Sequence, residues 1–414
     1  MVAETVERAG GVAAASGTPW GRVGAAARRA RTALLWFVGI RLAGAACVAA
    51  WAWRTGRHPR SLLGGSWDSQ WYLSIARHGY GMAAPDGRWP DVPGADLAFF
   101  PLFPWLVRGV GAVLPVHPLT AGLIVAWGAA LLAAWGIFAV GEHLHGRRAG
   151  TLLVVLWAVL PHAVVESLAY TEALLTALSA WALYAALSGR FLWAGALAAL
   201  AGLARPSALA IVAAVQAAVA VRAWRQWRQW RRGARRSAPR GRAPDGHVPG
   251  RRLCAAALLA PVGWLGYVLW VGRRTGRGPL GYFAVQARWG SRFDFGRDAL
   301  RAVRRLVLLG APPAYLMALA VVAVALLLYV LLAADRPPAA VLGYVTVLLV
   351  LALGGTGYFA SKPRFLLPAF PLLLPAALAL ARARRRTTAV ITGGLAALSL
   401  GYGPYLLTLA AMPL

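Results

Sequence analysis

Long apolar runs, separated by shorter segments that hold most of the charge, dominate this 414-residue chain. Apolar residues make up 59% of it, and the mean hydropathy is +0.60. Runs of this length match the hydrocarbon core of a bilayer, where only helices and closed barrels satisfy every backbone hydrogen bond. The sequence therefore predicts an all-α polytopic membrane protein and argues against a soluble fold.

The apolar runs predict about eleven transmembrane helices. We place them near residues 33 to 53, 118 to 140, 149 to 166, 169 to 188, 191 to 205, 207 to 222, 253 to 272, 306 to 334, 338 to 358, 364 to 381 and 387 to 410. The run at 96 to 115 is broken by prolines and is too short for a span, so we expect a re-entrant or interfacial element there. Residues 1 to 32 are expected to form a disordered cytoplasmic leader before a transmembrane domain over 33 to 414.

Charge is strongly one-sided, with 43 Lys or Arg against 13 Asp or Glu and a formal net charge of +30. The arginines lie mainly between apolar runs, where anionic membrane lipids are the natural counterions, and this distribution argues against a nucleic-acid partner. A cytoplasmic N-terminus puts the basic loop over 223 to 252 inside a bacterial-type plasma membrane. Fusing the short runs at 191 to 205 and 207 to 222 into one span would export that loop, so we keep them separate.

Two smaller elements are expected near this loop. Trp224, Trp227 and Trp230, interleaved with arginines, predict an amphipathic cytoplasmic helix on the bilayer surface. The Pro/Gly/Arg-rich stretch from 237 to 250 is typical of a flexible linker.

One carboxylate stands among aromatic residues in the first outer loop, over 54 to 117. The spacing predicts a short helix over 67 to 78, with Ser66 as N-cap and Gly79 just beyond its end. Trp67, Trp71 and Ile75 would form one stripe in the membrane interface, while Asp68 and Tyr72 point into a cavity. Because carboxylates are scarce here, Asp68 is the candidate general base. The alternative is that Asp68 only stabilises its helix and the tryptophans anchor it.

A second polar cluster lies at the outer end of a predicted helical hairpin. It contains His162, Glu166, Tyr170 and Glu172. Glu166 and Tyr170, one turn apart, are candidates to bind sugar hydroxyls or a cation. The alternative is a polar hairpin turn with Glu172 near the start of the following span.

A third group of cationic and polar residues falls on the same outer face. Its members are Arg205, Gln286, Arg288, Trp289, Lys362 and Arg364. Arginine forks and a lysine suit a phosphate, whereas each cation taken singly also fits headgroup anchoring. The sequence has no Asp-x-Asp pair for a nucleotide-sugar metal site and no Walker or zinc-protease motif, so no cofactor or metal ligand is predicted, and a divalent metal is an unsupported alternative.

Six segments together resemble the PIG-V family of membrane mannosyltransferases, a branch of the GT-C glycosyltransferases. They are Trp67-Asp68-x-x-Trp71-Tyr72-x-x-Ile75-Ala76-x-x-Gly79-Tyr80, Phe99-Phe100-Pro101-Leu102-Phe103-Pro104, Ser167-x-x-Tyr170-Thr171-Glu172, Ala204-Arg205-Pro206, Phe283-x-x-Gln286-x-x-Trp289 and Pro363-Arg364-Phe365-Leu366-Leu367-Pro368-x-Phe370-Pro371. Many relatives have two adjacent acids in the first motif, but Ser69 follows Asp68 here.

The resemblance implies a GT-C-like helical bundle and a sugar donor carried on a polyprenyl phosphate. It also implies transfer of a hexose, with mannose expected, to a glycolipid or glycan acceptor on the extracytoplasmic side. Asp68 would act as the base of an inverting reaction, and Arg205, Arg288, Lys362 and Arg364 would stabilise the departing lipid phosphate. Sugar or acceptor hydroxyls would be held by Tyr72, His162, Tyr170 and Glu172. The remaining candidates for substrate binding are Trp67, Trp71, Gln286 and Trp289. Two other classes stay open, namely a lipid-linked-sugar flippase or transporter and a non-catalytic membrane scaffold.

Overall fold

The structure, a computed structural model, describes residues 19–82, 94–236, 250–309 and 312–410. Helices make up most of these ranges, and a single isolated bridge between Phe293 and Gly355 is the one β-type contact within them. The predicted all-α membrane fold is therefore confirmed.

Eighteen α-helices are found in the described ranges. They are α1 (Pro19–Arg54), α2 (Pro59–Gly64), α3 (Asp68–His78), α4 (Leu102–Val113), α5 (Pro118–His145), α6 (Arg147–Ala158), α7 (Glu172–Leu187), α8 (Phe191–Gly202), α9 (Leu209–Arg236), α10 (Gly250–Leu259), α11 (Val262–Arg274), α12 (Gly281–Arg288), α13 (Arg297–Leu309), α14 (Pro313–Ala334), α15 (Ala339–Gly354), α16 (Lys362–Phe365), α17 (Leu374–Arg382) and α18 (Arg385–Thr408). Short 3-10 turns lie at Ala95–Ala98, Ala163–Ser167, Pro206–Ala208, Gly278–Leu280, Phe359–Ser361 and Phe370–Leu373.

Fewer helices are long enough to cross a bilayer than the sequence predicts. Six in the described ranges combine sufficient length and apolarity when α10 and α11 are counted as one segment, Gly250–Arg274. The number is seven if the segments Phe359–Phe365 and Phe370–Arg382, which are bent by 83°, form one span. The other predicted spans correspond to α6, α7, α8 and α15, which are 12 to 16 residues long. The count of about eleven is not confirmed, because apolar runs in sequence continue through turns that end the helices early.

Two predictions about basic segments need correction. The first helix begins at Pro19, so residues 19 to 32 are helical rather than disordered, and residues 1–18 lie outside the described ranges. The predicted surface helix at Trp224 to Trp230 is the C-terminal part of α9, which continues without a break to Arg236. Of the predicted linker, residues 237–249 lie outside the described ranges.

Small residues allow the central helices to pack closely. Ala133 and Ala134 of α5 and Ala180 of α7 have no exposed surface, and a Cβ added at Gly136 would come within 2.9 Å of the Ala180 Cβ. Lipid tails are as apolar as leucine, so close packing rather than water exclusion holds such helices together. The closely packed pair α5 and α7 lies beside the non-helical connections that carry polar residues, which we call helix breaks.

Three of these breaks meet beside α3. They are the connections between α6 and α7, between α8 and α9, and between α15 and α17, and each contains a proline, namely Pro161, Pro206 and Pro363. Proline lacks the N–H that would continue a helix, so each chain turns where the polar residues follow. Irregular backbone at this depth is tolerated when it lines a cavity within the protein.

A close crossing of α8 with α11 gives a test of the packing. A Cβ added at Gly263 would overlap the Ala199 carbonyl oxygen, whereas one added at Gly266, one turn along α11, would meet nothing within 4 Å. We expect Gly263→Ala to lose about 1–3 kcal/mol of stability through overpacking. Gly266→Ala should be neutral or stabilising, because alanine favours helix by about 0.5–1 kcal/mol.

The measurement is the melting temperature of the purified protein in detergent, followed by tryptophan fluorescence. A fall for Gly263→Ala without one for Gly266→Ala is expected. Equal effects of the two variants would contradict the close crossing.

Candidate functional site

A cavity of about 190 Å³ lies where the three helix breaks meet α3. Six of the predicted site residues line it. They are Asp68, Tyr72, Arg205, Gln286, Trp289 and Arg364. The cavity thus joins residues from all parts of the chain that resemble the PIG-V motifs, except the segment around residue 170, which lies behind its wall.

The helix that carries Asp68 forms as the sequence predicts. It begins at Asp68 and ends at His78, and Gly79 follows with φ of 80°. Ser66 is not its N-cap, because the Ser66 hydroxyl donates instead to the carbonyl oxygen of Leu62 at 2.6 Å. Trp67 occupies the cap position with φ of 47°, a strained conformation for a bulky residue. Such strain is found at sites where the fold fixes the direction of a neighbouring group.

Two carboxylates and two guanidinium groups form an alternating network at this cavity. Arg364 Nη1 lies 2.9 Å from Asp68 Oδ2, and Arg205 Nη1 lies 2.5 Å from Glu172 Oε1. The Nε atom of Arg364 is 3.8 Å from the same Glu172 oxygen, which links the two pairs. The four formal charges cancel, so the network avoids a net charge in a region of low dielectric constant.

The side chains of Asp68 and Glu172 differ in solvent exposure, so the two carboxylates can take different roles. The Asp68 side chain is 26% exposed, whereas that of Glu172 is 1% exposed. Asp68 lines the cavity and Glu172 does not. Asp68 is therefore accessible to a molecule in the cavity. Glu172 is buried behind the cavity wall and pairs with both Arg205 and Arg364.

Tyr72 joins this network through Thr171. The Tyr72 hydroxyl lies 3.1 Å from the Thr171 hydroxyl, which also accepts a hydrogen bond from Arg205 at 3.1 Å. Burial raises the pKa of the Tyr72 phenol well above its ordinary value, so it keeps its proton at neutral pH. Tyr72 thus offers a neutral hydroxyl beside the cations.

Aromatic rings form one wall of the cavity. Phe99 stacks on Trp71 at 5.5 Å between centroids and meets Trp289 edge-on at 5.6 Å. The indole of Trp289 donates to the Ala95 carbonyl at 3.0 Å, and the Gln286 amide donates to Ala98 at 3.3 Å. Gln286 of α12 and Trp289, just beyond it, therefore hold the segment before α4 in place, and the rings of Phe99 and Trp289 form an apolar part of the cavity wall.

The predicted stripe of Trp67, Trp71 and Ile75 does not face the membrane interface as a whole, because Trp71 and Ile75 are buried inside the protein. Trp71 is 2% exposed and packs in the protein core against Phe99. Trp67 is half-buried against a cluster that includes Val165 and Leu367. Both support the strained start of α3 from within the protein, and neither lines the cavity.

Four other predicted binding residues lie away from the cavity lining. Lys362 donates from Nζ to the carbonyl oxygens of Ala352 and Gly355 at 2.8 and 2.9 Å, so it stabilises the end of α15 rather than facing a phosphate. Arg288 is exposed on the outer surface. His162 is buried and its ring meets Tyr402 edge-on at 5.3 Å.

Tyr170 supports the site indirectly. Its buried ring lies under the Arg364 guanidinium, 5.4 Å from centroid to Cζ, and helps to orient that side chain. Glu166, which also belongs to the hairpin cluster, is buried beside Arg41 of α1 with 3.9 Å between Oε2 and Nε. The hairpin cluster thus holds the fold around the cavity instead of lining it.

Three residues at the site were not among the predicted site residues. Thr171 bridges Tyr72 and Arg205, and Phe365 lies under both guanidinium groups at 5.0 and 5.8 Å. Tyr358 lines the cavity with φ of 49° and donates to the Trp289 carbonyl at 2.9 Å. Thr171 and Phe365 fall inside the quoted motifs, so their positions were available from sequence, whereas no pattern marked Tyr358.

A larger cavity of about 490 Å³ adjoins the first. The two share Arg205, Pro206, Gln286, Ser291 and Phe365. The remaining lining is mainly apolar and includes Leu209, Trp264, Phe283, Phe293, Leu348 and Leu351. A polar cavity therefore continues into an apolar one past Arg205. Within the described ranges, no group of three or more His, Cys, Asp or Glu side chains is placed to hold a metal ion.

The fold of this chain is partly similar to that of a membrane protein of known structure. No protein-family model matches the chain, and no curated protein sequence matches it. Two crystal structures of ArnT from Cupriavidus metallidurans, one bound to undecaprenyl phosphate and one in the apo state, share 14% and 15% identity with TM-scores of 0.49 and 0.47. The alignments cover 78% and 77% of this chain but 56% of the ArnT chain.

The exposure contrast between the two carboxylates gives a test of the network. Glu172→Gln should leave two buried guanidinium groups without their shared partner and cost about 3–5 kcal/mol of stability. Asp68→Asn should cost less, about 1–2 kcal/mol, because the Asp68 side chain is 26% exposed and Arg364 keeps Glu172 as a carboxylate partner. Melting temperatures of the two variants in one detergent measure the difference. Similar falls for both would contradict the division of roles.

Proposed function

We propose that the protein is an inverting, GT-C-like membrane glycosyltransferase that uses a polyprenyl-phosphate sugar. The donor sugar is a hexose, with mannose favoured by the PIG-V resemblance, and the acceptor is a hydroxyl of a glycolipid or glycan on the extracytoplasmic face. The observation that carries the proposal is the partly exposed Asp68 opposite two arginines, at the point where a polar cavity meets an apolar one.

Asp68 is the general base of the proposed reaction. It is the one carboxylate among the described residues that line the polar cavity. As the acceptor oxygen bonds to the anomeric carbon, its proton passes to Asp68, and the bond from that carbon to the lipid phosphate breaks. The phosphate leaves with the electron pair from the opposite face, so the sugar configuration inverts.

Arg205 and Arg364 receive the charge that gathers on the departing phosphate. Guanidinium groups bind phosphate oxygens with paired, charge-assisted hydrogen bonds. In the free protein both arginines are already paired with carboxylates. Donor binding must therefore draw Arg364 at least partly from Asp68, and the same movement frees the base. Glu172 stays behind both arginines and keeps them positioned.

The apolar cavity suits the first isoprene units of the donor. It begins at Arg205, where the phosphate is placed, and its walls carry leucine and aromatic side chains. Its volume of about 490 Å³ matches the size of ordinary small-molecule sites rather than a whole long polyprenyl chain. The rest of the chain then lies in the bilayer.

A lipid-linked-sugar flippase is the second candidate, because a polar cavity continuous with an apolar one also fits a path for a lipid-linked sugar. A transporter requires the polar residues to line a path across the membrane. The network instead lies at one cluster of helix breaks, together with a candidate base. This placement favours a glycosyltransferase over a flippase.

Replacement of the base tests the proposed reaction. Purified wild-type protein is incubated in vesicles with a panel of polyprenyl-phosphate sugars and candidate acceptors, and the glycolipid products are identified. Asp68→Asn should reduce the turnover number by about 10²–10⁴-fold, the usual contribution of a general base. Asp335→Asn, at the exposed end of α14, is the control and should keep normal transfer.

Near-normal transfer by Asp68→Asn would refute the base assignment. Movement of lipid-linked sugar across the vesicle membrane without any glycoside product would favour the flippase.

The apolar cavity is tested with donors of two lengths. Ala287 of α12 lines it, whereas Ala284 on the same helix lines neither cavity. Ala287→Phe should raise KM for a long-chain donor about tenfold while leaving KM for a short-chain, water-soluble donor almost unchanged, because only the long chain loses its contacts. Ala284→Phe should change neither value. Equal KM changes for both donors would place the prenyl chain elsewhere.

A further inference from the structure

A second groove, separate from the candidate site, runs between α1, α6 and α18 and encloses about 1070 Å³. Each helix contributes residues at helical spacing from a single face. They are Thr32, Trp36 and Ile40 of α1, Arg147, Arg148, Thr151, Leu152 and Val155 of α6, with Val159 just beyond it, and Arg385, Thr388, Ala389, Thr392, Gly393 and Ala396 of α18. None of the residues that line the polar cavity takes part.

The basic end of the groove lies far from the candidate site. The start of α5 packs by α3, since a Cβ at Gly122 would contact Leu73 at 3.2 Å, and α6 with its arginines follows the opposite end of α5. A helix of 28 residues spans about 42 Å. The arginines of this groove and Asp68 are therefore close to opposite faces of the membrane domain.

Three arginines at one end of the groove give it a strong positive charge. They are Arg147, Arg148 and Arg385. Among the described residues, no carboxylate lines the groove and none of the ion pairs involves these three arginines. Arg148 also donates to the Ala383 carbonyl at 3.2 Å, which ties the start of α6 to the turn before α18. The site therefore suits an anionic group.

The remaining walls are apolar despite their threonines. Thr151 donates to the Arg147 carbonyl at 3.0 Å, Thr388 to the Leu380 carbonyl at 3.1 Å and Thr392 to the Thr388 carbonyl at 2.8 Å. Three of the four threonine hydroxyls that line the groove are thus already bonded to backbone, and the fourth threonine is Thr32. A ligand along these walls should be hydrocarbon rather than sugar.

The length of the groove matches one leaflet. Arg385 and Ala396 are eleven positions apart on α18, which corresponds to about 16 Å of helix. The hydrocarbon core of a bilayer is about 30 Å thick. An acyl chain that starts at the arginines therefore ends near the midplane.

We propose that this groove binds an anionic phospholipid, with its phosphate on Arg147, Arg148 and Arg385 and one acyl chain along α18. Basic pockets between membrane helices are known to bind anionic headgroups. The bound lipid fills the gap between α1 and α18 and joins the N-terminal and C-terminal helices. This site is independent of the proposed transfer reaction.

Two neighbouring glycines of α18 give a matched test of the chain-binding part. Gly393 lines the groove and Gly394 does not, and an added Cβ at either meets nothing within 4 Å. Delipidated protein is titrated with phosphatidylglycerol or phosphatidylcholine, and bound lipid is counted by native mass spectrometry. Gly393→Phe should weaken the tightest phosphatidylglycerol site about tenfold by occupying the groove. Gly394→Phe should bind as the wild type does.

Binding of the lipid phosphate is tested by removing positive charge from the groove. The double variant Arg147→Gln with Arg385→Gln should lose about tenfold in phosphatidylglycerol affinity and most of its preference over phosphatidylcholine, because each arginine makes charge-assisted bonds to phosphate. Arg386→Gln, beside the groove, is the control and should keep the preference. Equal binding of the two lipids by the wild type would overturn the proposal. So would a wild-type dimer that only Gly393→Phe dissociates, because a second copy would then occupy the groove.

Discussion

The structure depends on four charges that cancel one another inside a membrane domain. Asp68, Arg364, Glu172 and Arg205 alternate in sign, and each arginine lies within ion-pair distance of a carboxylate. An unpaired charge at such a site costs several kcal/mol, so the helix breaks that supply these residues are held in a fixed arrangement. Glu172 is the buried centre of the network, and Asp68 is its accessible end.

Under the proposed function, this arrangement would allow one site to bind an anion and also provide a base. Because the arginines are neutralised in the free protein, a lipid phosphate competes with the carboxylates for the same guanidinium groups. Competition at Arg364 acts on Asp68 directly, whereas Glu172 keeps its contact with Arg205. In the proposed reaction, binding of the donor and activation of the base are then one event. The proposal also places the first isoprene units of the donor in the adjoining apolar cavity, with the phosphate at the arginines.

Local sequence predicted the parts of the site that depend on short-range rules. The helix from Asp68 to His78 follows from its turn signals, and six predicted residues line one cavity. Other features depend on long-range packing. Lys362 looked like a phosphate ligand but stabilises the end of α15, and Trp71 looked interfacial but packs on Phe99. The predicted number of spans is not confirmed, because hydropathy does not show where a helix ends inside an apolar run.

A structure of the protein with a bound, unreactive polyprenyl-phosphate analogue tests the central claim most directly. The distance between Arg364 Nη1 and Asp68 Oδ2, now 2.9 Å, is the quantity to measure. We expect it to lengthen beyond ion-pair range, with the guanidinium groups of Arg364 and Arg205 on the phosphate and Asp68 facing the anomeric carbon. A phosphate bound elsewhere, with the pair between Arg364 and Asp68 unchanged, would contradict the account.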